Sequence, residues 1–210
     1  MNKNQDFIFL KKKRELREFD KIYDRWIEMN ELYYKVTEED FPGWYTESAC
    51  TSILSGAVWS ADTKSEFVAL KEFQHDKKQT GQKKRKAGRA DLYIGRKNKE
   101  YICEAKLRDF FIGERRDFSK RLKTKLIPAA KDLNDSWDKD HFHFGLAITF
   151  LNLWGRPGQD LKNQTHKFID DLKKSEQAHS GAIWLINKPY IEDNHATLGM
   201  ALIVNVLKPK

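Results

Sequence analysis

Two short apolar segments, residues 90–95 and 100–107, are separated by only the polar residues 96–99. Apolar runs of this length on either side of a polar turn predict two antiparallel strands joined as a hairpin. Alternate side chains of a strand point to opposite faces, so Glu104 and Lys106 would share one face of the second strand. Burying such charges among apolar residues is costly unless they have partners, so this hairpin constrains fold and chemistry together.

Hydrophobic periodicity along the rest of the chain predicts helices and strands that alternate around this hairpin. Pro128 falls within one helical pattern, which predicts either a kinked helix or two abutting helices. A turn at residues 187–189 would join the last two strands. We expect helices over residues 12–36, 46–60, 118–137 and 159–178, and strands over residues 66–73, 90–95, 100–107, 142–153, 182–186 and 198–207.

This order predicts an α/β protein with a mixed central β-sheet flanked by helices, folded as a single domain. We expect three parts within it. Residues 1–43 would form an N-terminal helical extension, residues 44–153 the core, and residues 154–210 a helix and strands that complete the sheet.

The overall charge of the chain limits its partners. Lysine and arginine outnumber aspartate and glutamate by 39 to 31, which gives a net charge of +8 and a pI near 9.3. Such an excess favours a polyanion, with nucleic acid the first candidate and an anionic membrane surface the second, although a basic protein without such a partner has the same composition. Two cysteines in apolar stretches and no membrane-length apolar run predict a cytoplasmic protein without a membrane segment.

A pair of carboxylates gives the hairpin its expected chemistry. Asp91 lies at the start of the first strand and can lie beside Glu104 of the second. Two adjacent carboxylates repel each other unless a cation lies between them, and oxygen ligands suit Mg²⁺ or Mn²⁺. Such a metal could activate water against a phosphodiester, with Lys106 orienting the water or offsetting negative charge. The alternative is a surface pair of Glu104 and Lys106 that contributes little to stability.

The spacing of this motif resembles the PD-(D/E)xK nuclease superfamily, which has the restriction-endonuclease-like fold. Asp91 is followed, after twelve residues, by Glu104-Ala105-Lys106, and Ala90 stands where the family pattern has proline. The predicted order over residues 46–153 is also similar: a helix with an acidic residue, three strands, a helix and a further strand. The resemblance therefore implies a restriction-endonuclease-like core with an extra N-terminal helix.

The resemblance also implies roles for individual residues. Many members of the superfamily carry a glutamate near the metal on the helix before the first strand, and Glu66 is the alternative to Glu47 if the helix boundary lies elsewhere. Members use Mg²⁺, with Mn²⁺ as a substitute, and often act on duplex DNA as dimers, so a homodimer through the long first helix is expected. The implied metal ligands are Asp91, Glu104, the Ala105 carbonyl and Glu47, and the implied catalytic lysine is Lys106.

The most basic stretch of the chain, residues 77–89, precedes this motif directly. It contains two glycines and no large apolar residue, which predicts a mobile loop. The loop is either a solvated hairpin connection or an arm that follows phosphates toward Asp91, with binding that weakens steeply with salt. The candidate nucleic-acid contacts are Lys77, Lys78, Lys83, Lys84, Arg85, Lys86 and Arg89.

These observations predict a metal-dependent nuclease that hydrolyses phosphodiester bonds, in DNA in the first instance. Three alternatives remain open at this point. The chain could be an RNA-cleaving member of the same superfamily, a non-catalytic nucleic-acid-binding protein on the same fold, or a module whose basic surface binds an acidic protein.

Overall fold

The computed structural model describes residues 7–10, 13–61, 66–78, 85–114, 117–138, 142, 144–158 and 160–208, and for residues 7–10, 75–78 and 85–87 the backbone alone. Its strands are β1 (Phe7–Leu10), β2 (Phe67–Lys78), β3 (Arg85–Arg96), β4 (Lys99–Phe111), β5 (Phe144–Gly155), β6 (Ser180–Glu192) and β7 (His195–Leu207). Its helices are α1 (Asp20–Val36), α2 (Glu47–Ser60), α3 (Phe118–Ser136) and α4 (Leu161–Lys174), with 3-10 turns at Arg14–Phe19 and Pro42–Trp44.

The described strands form one seven-stranded sheet in the order β1-β6-β7-β5-β4-β3-β2. Strands β4 and β5 are parallel, whereas the other neighbouring pairs are antiparallel. A parallel pair requires a crossover connection, and α3 supplies it. The predicted α/β class, a mixed sheet flanked by helices, is therefore confirmed.

Helices cover both faces of the sheet and bury its apolar side chains. Helices α1 and α2 pack on one face, where Trp26 is fully buried. This places Trp26 in the core of the chain. Helices α3 and α4 pack on the other face. Within the described residues, we find no helix with both the length and the apolar character needed to cross a bilayer.

The basic stretch differs from its predicted loop structure. Residues 77–78 and 85–89 continue β2 and β3, which pair as far as Lys78 and Arg85. Residues 79–84 lie outside the described residues. A loop was predicted because the stretch has no large apolar residue, but the backbone pairing of two strands does not require one. Strand β1, which pairs with β6, was not predicted from the sequence.

Two predictions about segment boundaries can be compared with the structure. Helix α3 runs as one helix through Pro128, which excludes two abutting helices and leaves the predicted single helix, because the loss of one backbone donor is offset by a buried face that includes Leu126 and Leu133. One boundary differs from prediction. Strands β6 and β7 turn at residues 193–194, not at residues 187–189. Residues 187–189 lie instead within β6, at an irregularity between Leu185 and Tyr190 where the pairing register with β7 shifts.

Candidate active site

The sheet opens into a fork at the predicted motif. Within the described residues, β3 and β4 pair from Arg96 and Lys99 only as far as Leu92 and Cys103. Beyond this point β3 continues beside β2 alone, and β4 continues beside β5 alone. Asp91 is the first residue of β3 past the last pair. One edge of β4 therefore faces the fork instead of a neighbouring strand.

Side chains, instead of a strand, satisfy the backbone groups along this open edge. Unpaired backbone donors and acceptors are costly, so the edge needs such partners. Two carboxylates accept from N–H groups, and two cationic side chains donate to carbonyls. The four contacts are Ala105 N to Asp91 Oδ2 at 2.7 Å, Leu107 N to Glu47 Oε2 at 3.2 Å, Lys106 Nζ to Ala105 O at 2.8 Å, and Arg108 Nη1 to Leu107 O at 3.0 Å.

Local structure explains why Glu47 reaches the edge. Thr46 caps α2, with its hydroxyl accepting from Ala49 N, so the helix begins with Glu47 in its first turn. The expected helix boundary is confirmed. Glu66, the alternative acid, pairs instead with Arg96 at 2.7 Å beside the β3–β4 turn, at the closed end of the hairpin. Of the two, Glu47 is the residue that the fold brings to the fork.

The Lys106 ammonium lies between carboxylates from two helices. Its Nζ is 3.1 Å from Asp132 Oδ2 in α3 and 3.6 Å from Glu47 Oε1 in α2, and its side chain is 19% exposed. Burial alone would lower the pKa of Lys106, but the hydrogen bond to Asp132 and the charges of Glu47 and Asp91 outweigh it and raise that pKa. Lys106 is therefore protonated at neutral pH.

Asp132 is a site residue that sequence reasoning missed. It lies four residues before Ser136 in α3, so the two side chains share one face of the helix. Asp132 contacts Lys106, and Ser136 contacts Glu104. Two polar residues at this spacing were the available signal, because their side chains share one helix face and can contact the same strand.

Glu104 shares the face of Lys106, as the strand alternation predicted, but its carboxylate is turned toward α3. Its Oε1 accepts from Ser136 Oγ at 2.8 Å, and the residue is 5% exposed. Among the residues that the structure describes, no three His, Cys, Asp or Glu side chains lie close enough together to hold a metal ion. The structure thus brings Asp91, Glu47 and the Ala105 carbonyl to the open edge, and places the Glu104 carboxylate in the adjoining core.

The donor types at the open edge fit a divalent cation. Asp91, Glu47 and the Ala105 carbonyl supply oxygen ligands of the kind that Mg²⁺ and Mn²⁺ prefer. Burial raises the pKa of Glu47, the charge of Asp91 raises it further, and Lys106 and the Leu107 N–H oppose this. Repulsion between Glu47 and Asp91 is the cost that a bound cation relieves. In this structure the Lys106 ammonium contacts two of these oxygen ligands, the Glu47 carboxylate and the Ala105 carbonyl.

The basic arm contains the candidate nucleic-acid contacts. Arg89 lies on β3 and pairs with Glu72 at 3.1 Å, with both side chains more than half exposed. Lys77, Lys78, Arg85 and Lys86 belong to the strands by their backbone, and Lys83 and Lys84 lie outside the described residues.

Comparison with known proteins adds no relative to this description. No family model matches the chain, and no curated protein or solved structure matches it. The chemistry of the fork is therefore the basis on which a function can be assigned.

Proposed function

We propose that this chain is a metal-dependent nuclease that hydrolyses phosphodiester bonds, in DNA in the first instance, by attack of an activated water. The observation that carries the proposal is the convergence of the Asp91 and Glu47 carboxylates with the Lys106 ammonium on one open strand edge. Helix α2, strands β2, β3 and β4, helix α3 and strand β5 also follow the order that the PD-(D/E)xK resemblance calls for.

Oxygen atoms at the open edge of β4 are the expected ligands of the metal ion. Asp91, Glu47 and the Ala105 carbonyl would hold Mg²⁺, whereas the Glu104 carboxylate of the motif lies in the adjoining core and accepts from Ser136. The ion, when bound, supplies Lewis-acid polarisation of the phosphate. Asp91 and Glu47 are each oriented by a backbone N–H through one carboxylate oxygen, which fixes their position before any cation binds.

Lys106 acts in this scheme as a fixed cation. Because its pKa is raised, it carries a proton at neutral pH and donates hydrogen bonds instead of abstracting a proton. Asp132 and Glu47 hold the ammonium from two helices. A positioned ammonium can orient the attacking water and stabilise the negative charge that develops on the phosphate.

The test is cleavage of plasmid DNA, single-stranded DNA and structured RNA, each with Mg²⁺, Mn²⁺ or EDTA. Lys106→Ala and Asp91→Asn should abolish metal-dependent cleavage, whereas the matched control Lys167→Ala, an exposed lysine on α4 that pairs with Asp171, should not. The preferred substrate decides between DNA and RNA. Absence of cleavage of every substrate by the wild-type protein would contradict the proposal.

One observation favours a second candidate, a non-catalytic nucleic-acid-binding protein on the same fold. The Glu104 carboxylate is hydrogen-bonded to Ser136 in the core, and the described carboxylates do not form a three-residue metal group. A protein that only binds nucleic acid should bind equally well with Mg²⁺ and with EDTA, and should lose affinity as salt rises. Binding of this kind without cleavage would favour the second candidate.

A further inference from the structure

The open edge of β4 leads from the fork into a large cavity. Asp109 lies two residues after Leu107, and at the end of the strand the Phe111 carbonyl accepts from Arg121. The cavity has a volume of about 1150 Å³. Aromatic and charged side chains line it, including Asp109, Phe111, Lys120, Lys125, Trp154 and His195.

Four aromatic side chains lie together at this end of the sheet, and we call them the aromatic row: Trp44, Trp154, Tyr190 and His195. Trp154 and His195 line the cavity, whereas Trp44 and Tyr190 lie beside it. Trp44 contacts Tyr190 edge-on at 4.8 Å between ring centroids, and Trp154 contacts His195 edge-on at 6.2 Å. Thr197 connects the two pairs, because it is the strand partner of both Trp154 and Tyr190 and accepts from Trp44 Nε1 at 3.4 Å. Trp44 and Tyr190 are 37% and 38% exposed.

The backbone of β7 places these rings. The registers of β7 with both neighbours shift next to Gly199, just before Trp154 on one side and Tyr190 on the other. Gly199 has φ +143°, and a Cβ there would lie 2.1 Å from the Trp184 carbonyl oxygen. Such irregularities re-aim the side chains that follow them. The aromatic row is thus held by a specific backbone feature of the sheet.

The aromatic row is joined to the proposed site through Asp109. The Trp154 indole N–H donates to Asp109 Oδ1 at 3.0 Å, and Asn152 Nδ2 donates to the same oxygen at 3.3 Å. Asp109 is two positions after Leu107, about 7 Å along β4. A chain held at the fork could therefore extend along β4 toward Trp154.

We propose that the aromatic row and its cavity bind the unpaired bases of a single-stranded nucleic-acid segment that runs from the fork; this inference rests on the proposed function. Bases stack on aromatic rings whatever their sequence. The α3 side of the cavity carries both signs of charge: Glu114 pairs with Arg121, and the Asp117 carboxylate accepts from the Ser119 and Lys120 N–H groups. Lys120 and Lys125 on this side suit the phosphates, whereas the acidic Glu192 and Asp193 disfavour phosphates on the β6–β7 side. The bases therefore face Trp154 and Tyr190, with the sugar-phosphate backbone toward α3.

The test measures fluorescence anisotropy of a labelled oligothymidylate and of a labelled blunt duplex, both in EDTA so that no cleavage occurs. Tyr190→Ala and Trp44→Ala should each weaken single-strand binding by about fivefold or more, since stacking on one ring contributes that much. Tyr190→Phe keeps the ring and should bind as the wild type does. The matched control is Ile191→Ala, the 58% exposed neighbour of Tyr190 whose side chain alternates to the other face.

The inference is overturned if the Tyr190→Ala and Trp44→Ala variants, shown to be folded by circular dichroism, bind the oligothymidylate as tightly as the wild type does. It is also overturned if both variants lose duplex affinity to the same extent, because the row would then not select unpaired bases. The inference is supported if Tyr190→Ala and Trp44→Ala lose affinity for the oligothymidylate but not for the duplex, while Tyr190→Phe and Ile191→Ala bind both as the wild type does.

Cleavage assays on the same proteins separate this inference from the proposed function. If the wild type never cuts but the row still determines single-strand affinity, the nuclease proposal fails and the base-binding site stands. If the wild type cuts DNA and the Tyr190→Ala and Trp44→Ala variants bind single strands normally, the base-binding site fails and the nuclease proposal stands.

Discussion

Lys106 in β4 and Asp132 in α3 form a 3.1 Å ion pair on a side of the site that the sequence motif does not include. One helical turn later, Ser136 donates to Glu104, which is two residues before Lys106 in the strand. Residues four apart in a helix and two apart in a strand are separated by similar distances, about 6 to 7 Å. Helix α3 therefore holds both motif residues of β4 in register with each other.

Replacement of Asp132 by Asn should slow cleavage without weakening DNA binding. Lys106 would lose one of the carboxylates that orient it, and misplacement of a catalytic group costs roughly 10- to 100-fold in rate. Because Asp132 raises the pKa of Lys106, its loss should also move the alkaline limb of the pH–rate profile to lower pH. Single-turnover rates across pH measure both effects, with Asp135→Asn as the control. An unchanged rate and profile would show that Asp132 does not position Lys106.

The raised pKa of Glu47 predicts a pH-dependent stability change. Burial, the largest cause, makes the charged form less favourable in the folded chain than in the unfolded chain. Below the pKa that Glu47 has in the unfolded chain, the carboxyl is neutral in both states and its contribution to the free energy of unfolding is fully present. This contribution is lost as pH rises through the raised pKa of Glu47 in the folded chain. Glu47→Gln, which retains an oxygen acceptor for Leu107 N, should therefore raise the melting temperature at pH 7 but not at pH 3. An equal change at both pH values would contradict this cause.

Divalent metal should stabilise the protein through the same carboxylates. At a free Mg²⁺ or Mn²⁺ concentration of 100 times Kd, ligand binding adds about 2.7 kcal/mol to the free energy of unfolding. For a chain of this size that corresponds to a rise of roughly 5 to 11 °C in melting temperature. Asp91→Asn, whose amide oxygen can still accept from Ala105 N, should lose the rise, and EDTA should reverse it. The control Asp171→Asn on α4 should behave like the wild type; a metal shift that survives in Asp91→Asn would exclude Asp91 as a ligand.

Two glycines with positive φ should respond differently to alanine. At Gly199, with φ +143°, an added Cβ would lie 2.1 Å from the Trp184 carbonyl oxygen, whereas Gly158 has φ +79° and open space around it. Gly199→Ala should destabilise by more than about 3 kcal/mol, and Gly158→Ala by only about 1 kcal/mol, since backbone strain alone costs roughly 1 to 3 kcal/mol. Urea unfolding measures both values. Similar losses at the two positions would show that the close backbone contact at Gly199 is easily relieved.

Local sequence patterns predicted the parts of the fold that local structure determines. The hairpin of β3 and β4, the start of α2 near Thr46 and the mixed sheet follow from apolar periodicity and a capping residue. The alternation of β4 also placed Glu104 and Lys106 on one face. Strand β1 was missed because four residues, Phe7–Leu10, carry too little pattern to predict a strand.

The site itself depends on long-range contacts that periodicity does not encode. The spacing of Asp91 and Glu104 does not show where β3 and β4 separate. That point is set where β3 continues to pair with β2 and β4 continues to pair with β5. Asp132 lies 26 residues after Lys106 in the sequence, and it reaches the lysine only because α3 packs on β4 in one orientation. The same packing turns the Glu104 carboxylate toward Ser136.

The charged contacts along the fork have a consequence for association. A strand edge with free N–H and C=O groups can accept a strand from another chain, which leads to aggregation or to peptide capture by strand addition. Between Ala105 and Leu107 the donors and acceptors facing the fork are already engaged by Asp91, Glu47, Lys106 and Arg108. The open edge is thus closed to a β-strand from another chain at this point, although its former neighbour β3 has diverged from it.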